Sequence, residues 1–344
     1  MNSILSPAPA LTVRQAASRI VARQVRDLVR YEKGARRGDT EAIHQMRVQT
    51  RRLRAALALF SNVLRPGKRA GRARLRWLAR SLGRVRDLDV IAALLEERHL
   101  PHLAGVEAAR LEDLVAALKE RRWRAQRRLK TMLARGRYAK LKAALQERAR
   151  HPRFRKGCGE DAMAARFLAD RIHREARRVS AHRGVTERSP AAADLHALRI
   201  NIKHLRYVLD FHAETCGLAF DEERKLTRDL QDCLGEIHDH DVLLSWFTEA
   251  GGTEAHAQGR LANTPVEAQL FAGAWRLLPE LLAADRARLF RRFIRLRRKW
   301  LRRTEPAGIV APLEEPRFVA LEAAPVQLRL SPPQKTVASL RIVR

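Results

Sequence analysis

Apolar positions between residues 12 and 303 recur every three to four residues, the period of helices that bury one face, and no stretch alternates long enough to predict a sheet. Breakers divide the pattern. A first segment over 12–33 ends near Gly34 to Gly38, and Asp39 or Thr40 can cap the next. Pro66 and Gly67 close that helix. Gly83 predicts a bend or break in a long stretch from about 70 to 98, and a further segment over 105–134 continues to 150. These make one bundle over residues 12–150. "HPRFRKGCGE" at 151–160 reads as a linker, and segments near 161–183, 191–216, 222–250 and 265–303 make a second bundle over 160–303. Residues 304–344 contain prolines and little helical pattern, which predicts a poorly ordered tail whose "VQLRL" could dock as a strand.

Within the helix of "AIHQMRVQTRRLRAALALF" (42–60), Met46, Leu53, Leu57 and Phe60 form a core stripe. His44, Arg47, Arg51 and Arg54, at relative spacings of 0, 3, 7 and 10, form a second stripe beside it, while Arg52 falls on the far side, where a solvated arginine is expected. Adjacent cations repel and resist desolvation, so the placement is costly unless an anion sits there. A solvated helix flank would explain one such stripe. The stripe occurs twice, however. At a constant offset of 152 positions, His196, Arg199, Lys203 and Arg206 repeat it, and Leu198, Leu205 and Leu209 repeat the core. Further along, "LARSLGRVRDLDVI" (78–91) matches "LQDCLGEIHDHDVL" (230–243), so that Gly83, Asp87 and Asp89 recur as Gly235, Asp239 and Asp241. An ungapped register of this length indicates internal duplication.

The H-x-x-R-x-x-x-[RK]-x-L-R helix followed by "LGRVRDLDV", and then a second such pair, resembles the CHAD family, the conserved-histidine alpha-helical domain, over roughly residues 12–303. The resemblance implies an all-α fold of two four-helix bundles related by a pseudo-twofold axis, with basic residues facing a central pore or groove. It also implies inorganic polyphosphate as ligand and an association with polyphosphate granules and other granule proteins. "HDHD" at 238–241 and Lys203 in place of an arginine depart from the family pattern.

Charge agrees. The 344 residues carry a formal net charge of +31, with 58 arginines and 11 lysines, and guanidinium offers a planar fork that fits phosphate oxygens. His44, Arg47, Arg51, Arg54, His196, Arg199, Lys203 and Arg206 are therefore the expected polyphosphate ligands. Arg121, Arg124 and Arg128, with Arg288, Arg291 and Arg295 of "RARLFRRFIRLRRKWLRR" (286–303), are a second tier on basic helix faces. Asp87, Asp89, Asp239 and Asp241, expected just past the glycine breaks, could orient the flanking arginines. On a helix His238 and His240 project about 200° apart, leaving His238 with Asp241 as an insufficient pair, so neither a metal nor any other cofactor is expected.

Neither a phosphate loop nor an E-x-E-x-K strand occurs, so an enzyme is not expected. A nucleic-acid-binding regulator that grips phosphate backbones is the alternative function, but aromatics are only 5% of residues, too few for stacking platforms, which makes nucleic acid the weaker competitor. Cys158, Cys216 and Cys233 form no C-x-x-C pair. With no signal-like or membrane-spanning stretch, the expected location is cytoplasmic, away from any membrane.

Overall fold

The computed structural model describes residues 11–65, 67, 71–157, 162–182, 192–217, 219–249, 275 and 277–304. Among these the fold is all-α. The helices are α1 (Val13–Arg30), α2 (Glu32–Arg37), α3 (Thr40–Leu59), α4 (Arg72–Ala93), α5 (Gly105–Ala134), α6 (Gly136–Arg150), α7 (Ala164–Ser180), α8 (Ala192–Cys216), α9 (Asp221–Glu249) and α10 (Leu277–Thr304). A π-helical turn at Leu94–His99 and a 3-10 turn at Leu100–His102 extend α4. Of the expected tail only Thr304 is described, as the last residue of α10, and 305–344 lie outside the described residues, as do 265–274 of the last predicted helix.

Local chemistry sets the helix ends near the site. A capping box opens α1, in which the Gln15 amide donates to Thr12 Oγ1 at 3.3 Å and the Thr12 amide to Gln15 Oε1 at 3.0 Å. The turn into α3 rests on two glycines. Gly38 takes φ 94°, the left-handed region, and a side chain on Gly34 would place its Cβ 2.6 Å from that of Ala42. Asp39 then caps α3, its Oδ1 accepting from the Ala42 amide at 2.6 Å. Across this corner the Gln126 side chain of α5 donates to the Ala35 carbonyl at 2.9 Å.

In the first half α3 packs between α1 and α4, α5 follows α4, and α6 returns to α1; in the second, α8 packs between α7 and α9, and α10 lies along α9. The halves meet where α3 touches α8 and α1 touches α7 and α8. One buried apolar cluster runs through both, from Ile20, Met46, Leu53 and Leu78 to Ile172, Leu205, Leu234 and Phe293. A smaller one gathers Leu95, Leu111, Leu114, Leu243, Leu278 and Leu282. The predicted linker is tied to the chain after α3, for the Arg65 amide donates to the Arg153 carbonyl and the Arg155 amide to that of Val63, both at 2.9 Å.

Two expectations need correction. The glycines do not break their helices, since α4 runs unbroken through Gly83 and α9 through Gly235. Lacking a Cβ, Gly83 instead leaves room beside Arg47, whose Nε lies 3.6 Å from where that Cβ would be. Arg52, in turn, is not solvated. Its Nη1 donates to Asp210 at 2.8 Å and its Nε to Gln24 at 3.1 Å, Nη2 pairs with Glu214, and its guanidinium lies 5.4 Å from the Phe211 ring centroid. Asp210 and Glu214 of α8 reach this side of α3, a tertiary fact that one-helix geometry does not contain. Only 14% of the Arg52 side chain is exposed, against 7% for Asp210 and 16% for Glu214.

Removing one member of a buried ion cluster strands the others. Arg52→Ala is accordingly expected to lower unfolding free energy by about 3–5 kcal/mol in urea denaturation. Arg52→Lys, which keeps the charge and loses the fork, should lose less; a change within about 0.5 kcal/mol for Arg52→Ala would show the cluster to be a surface pair.

Candidate functional site

The contact between α3 and α8 sets the two basic stripes against each other. Arg47 and Arg51 of α3 lie within electrostatic reach of Arg199 of α8, and Lys203 of α8 within reach of Arg47, Arg51 and Arg54. Burial first, and then these like charges, lowers the Lys203 ammonium to about 8. Burial likewise holds the Arg47, Arg54 and Arg199 guanidinium groups below their ordinary range, with neighbouring arginines adding to the shift. They remain charged at neutral pH, so the effect is a cost to the folded state. The Nε donors of Arg51 and Arg199 are buried with no hydrogen-bond partner among the described residues.

Acidic groups engage the margins of this surface. Asp87 Oδ1 accepts from Arg47 Nη2 at 3.1 Å across the space beside Gly83. Asp239 lies near Arg199, and burial, outweighing that cation, lifts its carboxyl to about 6. Arg206 stands 3.8 Å from Asp210, which Arg52 already holds, and 3.7 Å from Asp232, and its Nε is likewise buried with no hydrogen-bond partner among the described residues. Asp89 and Asp241 do not orient stripe arginines. Asp89 takes Arg122 Nε at 2.8 Å, and Asp241 takes Arg286. The equivalent aspartates thereby fasten α4 to α5 and α9 to α10.

His44 is half-buried, and burial, followed by the charge of Arg86, lowers its imidazole. His196 is exposed, with the His238 ring 5.4 Å away. His238 and His240 diverge as the helical geometry requires, His240 reaching the His99 ring at 5.9 Å.

Three further cations were not singled out from the sequence. Arg76 and Arg80 of α4 lie near Arg54, and Arg86 near His44 and Asp87. A signal existed, because positions 76, 80, 83 and 87 share one helix face. The second copy carries Arg228 and Asp232 at the positions of Arg76 and Arg80, so charge there is reversed at one of the two. Among the second-tier residues, Arg124 is bound to Glu120 at 2.9 Å and Arg288 to Asp285 at 2.7 Å; Arg121 is half-buried, and Arg128, Arg291 and Arg295 are exposed. A separate hollow of about 810 Å³ beside α2 and α5 is lined by Arg36, Arg122, Trp123 and Lys142, but carries its own acid, Glu32, on Lys142 at 2.8 Å. No helix among the described residues is long and apolar enough to cross a membrane.

Comparison with solved structures supports this architecture. The crystal structure of the CHAD domain from the plant Ricinus communis is 24% identical, with a TM-score of 0.61 over 90% of this chain and 95% of that one. PptA from Streptomyces chartreusis is 16% identical, with a TM-score of 0.60 over 85% of this chain and 100% of that one. Identities this low speak for the fold alone. No curated protein matches the chain. The CHAD domain family model matches residues 19–248, more than half of the chain and inclusive of both copies of the stripe, and the protein therefore belongs to the CHAD domain family.

Proposed function

We propose that the surface where α3 meets α8 binds inorganic polyphosphate without catalysing its turnover. The observation that carries this reading is the apposition of Arg47, Arg51, Arg54, Arg199 and Lys203, with the Nε donors of Arg51 and Arg199 unpaired. A flexible chain with a charge on nearly every unit answers all of them at once, since each oxygen accepts a hydrogen bond and relieves repulsion between two cations. Asp87 and Asp239 are surrounded by arginines, an arrangement that suits holding cations in place better than binding a catalytic metal. His44 and His196 would flank the bound chain, with Arg206 and the second-tier arginines adding longer-range attraction. We read residues 12–150 and 160–303 as pseudo-twofold-related bundles, supported by the offset of 152 positions, with the ligand held between their equivalent helices. In cells such binding would place the protein on polyphosphate granules in the cytoplasm.

Binding of labelled long-chain polyphosphate is expected to weaken by at least about tenfold, about 1.4 kcal/mol, in Arg47→Ala/Arg51→Ala and in Arg199→Ala/Lys203→Ala. The Arg317→Ala/Arg341→Ala control removes the same net charge and should lose far less. Arg206→Ala should fall between, because Asp210 and Asp232, 3.8 and 3.7 Å away, offset part of its attraction for an anion. Equal losses in all doubles would leave bulk charge as the explanation, and displacement of polyphosphate by DNA or RNA at equal phosphate concentration would favour nucleic acid as the ligand. In the absence of ligand, Arg51→Ala should melt no lower than the parent, since it removes like-charge repulsion.

The pH dependence follows from Lys203, which faces Arg47, Arg51 and Arg54 from α3 and lies beside His196, Arg199 and His204 on its own helix. In the free protein it discharges near pH 8, and a bound polyanion favours its charged form, so affinity should fall as pH rises from about 7 to about 9.5. Lys203→Arg stays charged and should flatten that decline at constant ionic strength. An undiminished decline in Lys203→Arg would show that another group is responsible. His44, lowered in the free protein, adds a separate gain in affinity as pH falls below neutrality.

A further inference from the structure

A second cluster of titratable groups lies away from the cationic surface, where the π-helical turn after α4 meets α9 and α10. The ligand-capable atoms of His99, His240 and Asp285 all lie within 4.8 Å of one another. Both imidazoles are 1% exposed. The Nδ1 of His240 is 2.8 Å from the Glu236 carbonyl, to which it donates; that bond puts the proton on Nδ1 and leaves Nε2 as a lone-pair donor. Nε2 of His240 and Nε2 of His99 are both buried with no hydrogen-bond partner among the described residues, an arrangement that is costly for two polar atoms beside an apolar cluster.

We propose that His99, His240 and Asp285 form a binding site for a divalent first-row transition ion, with Zn²⁺ as the best fit. Two imidazole nitrogens and one carboxylate oxygen are a donor set suited to such ions, with a fourth position left for water. Bonds of about 2.0–2.2 Å set the edges of a zinc tetrahedron near 3.3 Å. His240 Nε2 stands 3.9 Å from Asp285 Oδ2, so modest side-chain rotations bring the donors to bonding distance.

Asp285 is already oriented, its Oδ2 2.7 Å from Arg98 Nε in an ion pair and its Oδ1 accepting from Arg288 Nη2 at 2.7 Å. Each carboxylate oxygen keeps a further lone pair for an ion. The two arginines act as supports behind the ligand and moderate the affinity by their charge. An ion at this place would clamp the end of α4 to α9 and α10, joining the two halves of the chain at a point distinct from the α3–α8 contact. The site is independent of the polyphosphate reading.

The test uses the full chain, stripped with chelator and kept free of polyphosphate, which itself sequesters divalent cations. Titration with Zn²⁺ followed by calorimetry is expected to show one ion per chain and a raised melting temperature. Co²⁺ as a probe should give the intense visible absorption of a four-coordinate ion. His99→Gln and Asp285→Asn should each weaken Zn²⁺ binding at least tenfold, while exposed His102→Ala keeps it. Metal-free melting of each variant reports whether it folds, and Asp285→Asn, at a half-buried position, decides the matter should His99→Gln not fold. Absence of saturable one-to-one binding, or full affinity retained in a folded Asp285→Asn or His99→Gln, overturns the proposal.

Discussion

Holding like charges together at the α3–α8 contact is the constraint on which the rest of the structure depends. Five cations from two helices share a partly desolvated surface, and the lowered proton affinities of Arg47, Arg54, Arg199 and Lys203 show how unfavourable that is for the free protein. Left to themselves these helices would separate. They are kept in contact by the continuous apolar cluster beneath them and by Arg52, which reaches from α3 to Asp210 and Glu214 of α8. The same helix thus carries cations that repel its neighbour on one stripe and a cation that grips it on another. Which effect an arginine has depends on whether an acid faces it.

The acids are distributed accordingly. Asp87 takes one nitrogen of Arg47 beside Gly83, fixing a long side chain while leaving its other donors free to act outward. Asp89 and Asp241, two residues further along each copy, lock the next helix in place through Arg122 and Arg286. The copies are not equivalent in charge. Asp232 and Asp210 attend Arg206, whereas Arg54 has Arg76 and Arg80 near it, so the attractive field is strongest toward the first half. On the proposed reading, such a surface gives up folding free energy for affinity, as sites built to bind commonly do.

The repeated features were the legible ones. A stripe that occurs once is ambiguous, but its return at a fixed offset beside an equally repeated core marked both the all-α fold and the residues that meet between α3 and α8. Single-helix geometry failed where an outcome depended on a second helix. Arg52 looked solvated because α8 is invisible from α3 alone, and Gly83 read as a breaker because its neighbour Arg47 lies 36 positions upstream. His240 found its companions, His99 and Asp285, on separate elements, which no local spacing could disclose. Arg76 and Arg80 were readable in principle, their face being marked by Gly83 and Asp87, yet nothing in the second copy repeats their full charge.

The central claim is that the two stripes act as one anion site. A crystal structure of the protein with a short polyphosphate tests it most directly. The account predicts phosphate density between α3 and α8, with oxygens within hydrogen-bond distance of Arg51 and Arg199 Nε and of Lys203 Nζ. Well-ordered phosphate bound instead on the outer faces of α5 or α10, with the α3–α8 donors still unpaired, would contradict it.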